Sequence, residues 1–258
     1  MKLLLSLLSG RLFLGALSIG AVLLVYAAVT SLPDNNPALL PPIPDIVGSF
    51  ATNLEAGALG DALAASLYRI LMGFFIGTTL AVIIGCLVGW YKPIEYLIDP
   101  LIESVRPIPP LAYIPIIIIW FGIEEFSRVL LITIACFMVC VVNVIAGMKN
   151  VPQVYVDAAA TMGASRFQVF RTVAIPAATP FIITGYRIAL AAAWTTLVAA
   201  ELIAAPSGLG YMLQEGRRYF LTEQVMMIII VIGTCAFIMD RTFRTIQARL
   251  TRWSEARE

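Results

Sequence analysis

The chain has 258 residues, of which 60% are hydrophobic and 13% are charged, and its net charge is +1. Because soluble domains carry about a quarter charged residues, a chain of this length cannot keep so much apolar surface away from water. The composition therefore excludes a soluble globular domain, and the lack of a basic excess argues against a nucleic-acid partner.

Six apolar runs, each long enough to cross a bilayer as a helix, predict an all-α polytopic membrane helix bundle with about six transmembrane helices. The runs cover residues 12–32, 62–90, 94–122, 127–148, 180–204 and 223–245. No small-x-small cleavage site in the first run is convincing and the run is long enough to span, which favours a retained membrane helix over a signal peptide. We divide the chain into a first helix with its following segment (1–61), a core transmembrane domain (62–245) and a tail (246–258).

Lysine and arginine are unevenly divided between the two sets of connecting segments. The richer set holds the arginines of the tail together with Lys2, Arg11, Lys92, Lys149, Arg166 and Arg171. Since basic residues collect on the cytoplasmic side of membranes, this set is expected to be cytoplasmic. The pattern predicts that both termini are cytoplasmic, that the proline-rich segment 33–61 lies outside and that 149–179 lies inside.

Small residues at four-residue spacing form a row along the run at 62–90, namely Gly73, Gly77, Ala81, Gly85 and Gly89. Such a row lets another helix approach closely. We expect tight helix packing along it and take it as one ground for a dimer.

Metal and redox chemistry have little support in the sequence. It has no histidine, and its cysteines fall inside apolar runs, at Cys86, Cys136, Cys140 and Cys235. Cys136 and Cys140 share a helix face, so a metal or redox pair is conceivable, but cysteine in such runs typically acts as a small hydrophobe. Without a CxxC motif or a companion ligand, we predict no metal site and no catalytic residue.

Prolines interrupt the run at 94–122, where the sequence contains Arg106, Pro107, Pro109 and Pro110. Irregular backbone at membrane depth persists only where it faces protein or a water-filled cavity. These four residues are therefore candidates for the lining of a translocation pathway, with Arg106 as an attractor for anions. A purely structural kink is an equally good interpretation.

The segment 149–179 is polar and mildly basic, and its pattern predicts two short helices joined by a turn. Pro152 suits the start of the first helix. Gly163 suits its end, where a left-handed residue is favoured. Ser165 and Gln168 fit a capping box that opens the second helix.

Two further features of this segment bear on its role. Pro176 is expected to stop the second helix. The small side chains of Ala158 and Ala159 would let the first helix fit into a groove of another protein. A helical hairpin lying on the bilayer surface is the alternative.

The run at 180–204 carries polar side chains inside an expected span, namely Arg187, Trp194, Thr195, Thr196 and Glu201. Ionisable residues within membranes are costly and suggest function. Arg187 and Glu201 lie about 21 Å apart along a helix, too far to pair. Arg187 is near the cytoplasmic end, where it can snorkel. We expect Glu201, near the outer mouth, to anchor a gate by hydrogen bonds to the loop around Ser207 and Gly208.

The spacing within 149–179 resembles the EAA loop in membrane subunits of bacterial ABC importers. It runs Asp157-Ala158-Ala159, three residues, Gly163, nine residues and Val173-x-Ile175-Pro176. The family pattern has Glu, Ile and Leu at the positions of Asp157, Val173 and Ile175, so three conservative departures occur. Within that family the chain resembles the nitrate, sulfonate, taurine and bicarbonate importers, and the taurine branch above all, through residues 106–112, 120–122, 198–203 and 208–210.

This resemblance covers about residues 62–252 and implies the type I ABC importer permease fold. It implies a transport subunit, not an enzyme, that forms the pathway for taurine, an alkanesulfonate, nitrate or bicarbonate in a bacterial inner membrane. The implied partners are a second copy of the chain, two copies of a cytoplasmic ATP-binding subunit and a periplasmic or lipid-anchored substrate-binding protein. The chain has no Gly-x-x-x-x-Gly-Lys-Ser/Thr loop, so ATP and Mg²⁺ are expected in the partner ATPase and no cofactor in this chain.

The resemblance also assigns roles to individual residues. ATPase coupling falls to Asp157, Ala158, Ala159, Gly163, Ser165, Arg166 and Pro176. The translocation pathway falls to Arg106, Pro107, Pro109, Pro110, Trp194, Thr195, Thr196 and Glu201. The alternatives are a small stand-alone secondary transporter or channel, which leaves the loop unexplained, and a membrane-embedded enzyme, for which no nucleophile–base arrangement is present.

Overall fold

The computed structural model describes residues 2–33 and 35–250, and helices make up most of that part of the chain, with no strand in it. Residues 251–258 of the predicted tail lie outside the described residues. In chain order the helices are α1 Lys2–Thr30, α2 Ile43–Glu55, α3 Ala58–Trp90, α4 Lys92–Val105, α5 Ile114–Phe121, α6 Glu125–Lys149, α7 Gln153–Thr161, α8 Arg166–Val169, α9 Ile175–Ala204, α10 Leu209–Arg218 and α11 Thr222–Leu250.

Five stretches of the described chain are long and apolar enough to cross a membrane. They lie in α1, α3, α6, the continuous stretch Arg166–Ile203 and α11. The predicted span at 94–122 is instead a broken pair, in which α4 and the stretch Pro110–Phe121 meet at 86°. Prolines around this break withhold backbone donors, which explains why one straight helix does not form. Counting the pair as one span gives the six that the sequence predicts.

The two halves of this broken pair are attached to opposite ends of α6. In α4, Glu95 and Asp99 pair with Lys149, the last residue of α6, at 2.8 and 3.2 Å. After α5, the Gly122 carbonyl accepts a hydrogen bond from Ser127 in the first turn of α6, at 2.7 Å. The pair therefore covers the same depth as α6.

The row of small residues on α3 packs against α6 of the same chain. A Cβ added at Gly73 would lie 2.7 Å from Cβ of Ile132, and one added at Gly85 would lie 2.7 Å from Cβ of Val144. The tight packing expected from the sequence is present. Our use of this row as a ground for a dimer was wrong, because α6 already occupies it.

Two compact units divide the chain, Met1–Leu59 with Met212–Ile230, and Gly60–Tyr211 with Val231–Glu258. In the first unit, the Tyr26 hydroxyl donates to the Pro41 carbonyl at 2.7 Å. Asn35 bridges the carbonyls of Thr30 and Leu40 at 3.2 and 3.1 Å. These bonds hold the turn that follows α1.

The turn between α10 and α11, also in the first unit, has an unusual backbone. Phe220 adopts φ +58°, and its side chain is 85% exposed. The Leu221 N–H donates to the Gly216 carbonyl at 2.8 Å, as in a helix end that normally uses glycine at this left-handed position.

Candidate functional site

A buried ionic cluster in the second unit joins α3, α6 and α9 where α9 ends. At its centre the Glu201 carboxylate accepts hydrogen bonds from the Ser66 hydroxyl and the Gly210 backbone N–H, both at 2.8 Å. It also contacts the Arg69 guanidinium directly. Because a buried charge is tolerated only when it is paired and hydrogen-bonded, these partners explain how Glu201 fits into an apolar helix.

Arg69 connects this carboxylate to α6 and to the loop after α9. Its Nε and Nη2 donate to Glu125 at 2.7 and 2.6 Å, and its Nη1 donates to the Ser207 carbonyl at 2.7 Å. Arg128 donates to the same Glu125 at 2.7 Å. Two arginines and two glutamates balance in charge, so the cluster is suited to holding helix ends together and not to attracting an anion.

The loop after α9 approaches Glu201 at a distance that requires glycine. Gly208 has φ +115°, and a Cβ added there would lie 2.5 Å from the carboxyl carbon of Glu201. A Cβ added at Gly210 would lie 2.6 Å from Cβ of Glu201. The Ser66 hydroxyl completes the contact by accepting the Leu209 N–H at 2.8 Å. Glu201 thus holds this loop by hydrogen bonds, while its role in a gate stays a prediction.

Some of the predicted pathway residues are accessible. The exposed positions are Arg106, Pro107, Pro109 and Thr195. Pro110 is half-buried at the break between α4 and α5. The Arg106 guanidinium is half-exposed and lies 3.4 Å from Glu103, so it is only loosely paired.

Other predicted pathway residues are enclosed by their own chain. Trp194 is 5% exposed, Thr196 is 4% exposed and Glu201 is 1% exposed. These three side chains are packed within their own chain, and Thr195 is the exposed one of the four in α9. The assignment of all four to a pathway stays a prediction.

The first helix of the predicted coupling segment is α7, and none of its residues is buried. Asp157 accepts a hydrogen bond from the Gln153 side chain at 2.9 Å, within the same helix. Ala158 is exposed and Ala159 is half-buried. Ala158 has no side-chain atom beyond Cβ, and the exposed side chains of Val154, Tyr155 and Met162 lie three or four residues from it along the chain.

The turn after α7 has the geometry that the sequence predicts. Gly163 adopts φ +82°, the left-handed conformation expected of a residue that ends a helix. Ser165 accepts the Gln168 backbone N–H at 3.3 Å, and Gln168 accepts the Ser165 N–H at 2.7 Å, which is a capping box. Arg166 follows, with its guanidinium 5.4 Å from the centre of the Tyr91 ring.

Pro176 does not end a helix, contrary to our prediction. The chain continues from α8 through a π-helical turn, Phe170–Ala174, directly into α9. In that turn the Ile175 N–H donates to the Phe170 carbonyl, five residues back. The wider turn just before Pro176 makes room for a residue that lacks an N–H, so the helix bends around the proline instead of stopping.

Sequence reasoning did not identify four members of the ionic cluster, namely Ser66, Arg69, Glu125 and Arg128. A usable signal was present, since Arg69 lies well inside the apolar run at 62–90 and an ionisable residue there needs a partner at the same depth. Glu201, near the end of the run at 180–204, was an available carboxylate.

Comparison with known proteins identifies the family. Residues 46–252 match the family described as "Binding-protein-dependent transport system inner membrane component". The taurine transport system permease protein TauC of Escherichia coli (strain K12) is 43% identical over 245 residues, which is 92% of this chain and 89% of that protein. The nitrate import permease protein NrtB of Synechocystis sp. is 30% identical over 233 residues, 88% of this chain and 84% of that protein.

Solved structures show the same fold. A chain of the MetNI methionine ABC transporter gives a TM-score of 0.63 at 17% identity and covers 76% of this chain and 98% of that one. A chain of an amino acid ABC transporter gives 0.61 at 19% identity and covers 79% of this chain and 97% of that one.

The chain therefore belongs to the family of binding-protein-dependent transport system inner membrane components. It is a multi-pass permease subunit of the nitrate, sulfonate and taurine group of ABC importers, a transport component and not an enzyme. Membership of this family removes the stand-alone transporter and the membrane-embedded enzyme as alternatives.

Proposed function

We propose that this permease forms the pathway for a small anion or zwitterion, such as taurine, an alkanesulfonate, nitrate or bicarbonate, and couples it to ATP hydrolysis in a separate subunit. The observation that carries the proposal is α7, a helix with no buried residue that ends in a fixed left-handed turn. Exposed apolar side chains on it and at its end, Val154, Tyr155 and Met162, are surface that a docked partner would cover. ATP and Mg²⁺ bind to that ATPase partner, two copies of which dock on the transporter.

The orientation follows from the charge pattern and the broken pair. Attachment of α4 and α5 to opposite ends of α6 supports counting this pair as a sixth span. An even number of spans puts both termini on one side, and the positive-inside rule makes that side the cytoplasm. The coupling segment 149–179 is then cytoplasmic, and Glu201 lies at the outer mouth.

Two copies of the chain enclose the pathway between them. Support comes from the exposed backbone break at Pro107 and Pro109, which is unusual for lipid-facing surface. Arg106 lies beside the break with half of its guanidinium exposed, so it can attract an anion. Glu201, whose charge is neutralised by Arg69, acts on the outer gate through the loop that it holds.

The substrate class is supported by the functions of two relatives, taurine transport and nitrate import. Taurine and nitrate share compact size and an oxyanion. A periplasmic or lipid-anchored binding protein delivers such a substrate from outside, in agreement with the family description.

Co-purification and uptake test this proposal together. The tagged permease, expressed with the ATPase and binding protein encoded beside it, is expected to copurify as two permease chains with two ATPase chains. Vesicles containing this complex should take up one of taurine, alkanesulfonates, nitrate or bicarbonate only when ATP is present. Uptake that proceeds without an ATPase, or a complex with a single permease chain, would contradict it.

A further inference from the structure

A groove of about 700 Å³ lies where α3 and α6 end, next to the start of the coupling segment. Its floor includes the close contact between Gly89 and Met148. One of its walls is α7, through Gln153, Val156 and Ala160. The groove therefore borders the helix that we propose to dock on the ATPase.

The charged residues of this groove are all basic. Among the described residues that line it are Lys92, Lys149 and Arg166, and no aspartate or glutamate. Outside the lining, Glu95 pairs with both lysines, at 2.9 Å from Lys92 and 2.8 Å from Lys149, and Asp99 pairs with Lys149 at 3.2 Å. An ammonium group has three donors, so this pairing fixes each lysine and leaves Lys92 with donors to spare.

Arg166 is the most available of the three cations. Its guanidinium lies 5.4 Å from the centre of the Tyr91 ring, and within the described part of the chain no carboxylate pairs with it. Stacking on an aromatic ring leaves the edge of the guanidinium plane open. That edge presents paired N–H groups, the geometry that binds a phosphate group in two places.

The position of the groove indicates that a phosphate group bound there would belong to a lipid headgroup. The spans formed by α3 and α6 end at Trp90 and Lys149, so the groove opens at the depth of lipid headgroups. Its lining also includes the apolar side chains of Met148, Val156 and Val169. An apolar wall beside cations suits a glycerol backbone and acyl chains beside a phosphodiester, and basic pockets of this kind on the cytoplasmic side bind anionic headgroups.

We propose that this groove binds one anionic phospholipid of the cytoplasmic leaflet, with Lys92, Lys149 and Arg166 around its phosphate. The proposal uses the cytoplasmic orientation given under the proposed function. A lipid in the groove touches α7 from the membrane side, so it sets the position from which α7 meets the ATPase. Phosphatidylglycerol is the probe chosen here, because its headgroup adds no positive charge.

Fluorescence quenching of Trp90 measures this binding on the full chain. Trp120, Trp194 and Trp253 are replaced by Phe, and the protein is placed in vesicles in which either phosphatidylglycerol or phosphatidylcholine carries the same brominated acyl chains. Quenching of Trp90 should give an affinity for brominated phosphatidylglycerol at least fivefold higher than for brominated phosphatidylcholine. Arg166→Gln should reduce this preference about fivefold, the effect expected of one basic residue at a membrane surface.

Matched variants separate site binding from a general surface charge. Lys92→Gln should act as Arg166→Gln does, whereas Arg171→Gln, which removes an exposed charge of the same segment outside the groove, should keep the preference. Equal quenching by both lipids overturns the proposal, and so does relief of quenching by soluble glycerol phosphate, which would make the groove a site for free phosphate esters. The measurement needs no ATPase or substrate, so its failure is distinct from failure of the proposed function.

Discussion

Arg69 and Glu201 lie 132 positions apart in the sequence, yet they form an ion pair in which the two side chains are 1% and 0% exposed. The pair joins α3 to the end of α9, and the loop after α9 closes over it through Gly208 and Gly210. A buried pair of this kind does little for stability compared with apolar packing, but it becomes costly when one partner is lost.

Arg69→Met should destabilise the permease, because it leaves the buried Glu201 carboxylate without its counter-charge. The expected loss is about 3–5 kcal/mol in the free energy of unfolding. Glu201→Gln should cost less, because Arg69 keeps its pair with Glu125. Thermal unfolding in mild detergent, monitored as the loss of soluble folded protein, measures this loss of stability. Arg106→Gln is the control, since Arg106 makes only an exposed pair at 3.4 Å and should cost less than about 1 kcal/mol. Equal losses for Arg106 and Arg69 variants would contradict the account of the cluster.

Glycine on α3 should be irreplaceable where α6 is closest. Gly85→Ala places a Cβ 2.7 Å from Cβ of Val144 and should cost about 1–3 kcal/mol by overpacking. Gly233→Ala, in α11, meets nothing within 4 Å and should be neutral or slightly stabilising, because alanine favours helices. Melting temperatures of the two variants should therefore move apart, and a stable Gly85→Ala protein would argue against the close approach of α3 and α6.

Phe220 should be replaceable by glycine with a gain in stability. Its φ of +58° is unfavourable for a bulky side chain, which loses about 1 kcal/mol or more relative to glycine in that conformation, and its ring is largely exposed. Phe220→Gly should raise the melting temperature. Tyr219→Gly, one residue earlier and without a positive φ, should lower it or leave it unchanged. A lower melting temperature for Phe220→Gly would show that the ring is held by contacts that outweigh the strain.

Adjacent positions in α9 should differ in their access to water. Thr195 is exposed and Thr196 is 4% exposed, so Thr195→Cys should react with a water-soluble thiol reagent and Thr196→Cys should not. Cys235→Ser supplies the background, because the other three native cysteines are buried. Reactivity at Thr195→Cys should change when ATP is trapped in the assembled transporter. Inertness at position 195 would indicate that it faces lipid and lies outside the pathway.

Helix positions and the turn after α7 could be predicted from the sequence because their causes are local. Apolar runs determine where the spans lie, and Gly163 provides the left-handed residue that ends α7. Ser165 and Gln168 form the capping box through their own side chains. Local rules failed at Pro176, since a proline ends a helix in isolation but a π-helical turn can absorb it within a packed span.

Partners across the bundle were harder to predict. The row of small residues on α3 indicates close packing, but its spacing carries no information on whether α6 or a second copy provides the contact. Arg187 was expected to snorkel, yet it pairs with Asp240 of α11 at 3.2 Å. In both cases the missing information is which helices are neighbours, and this depends on the packing of the whole bundle.

Coupling through α7 is tested most directly by adding bulk where the chain itself has room for it. Ala158 is exposed, so Ala158→Trp should leave the permease folded, but it should clash with a docked ATPase. Thr172→Trp, which introduces the same side chain at an exposed position outside α7, is the control. ATP hydrolysis by the reconstituted transporter, measured with and without substrate-loaded binding protein, should lose its stimulation in Ala158→Trp and keep it in Thr172→Trp. Normal stimulation and normal uptake in Ala158→Trp would contradict the assignment of α7 as the coupling helix.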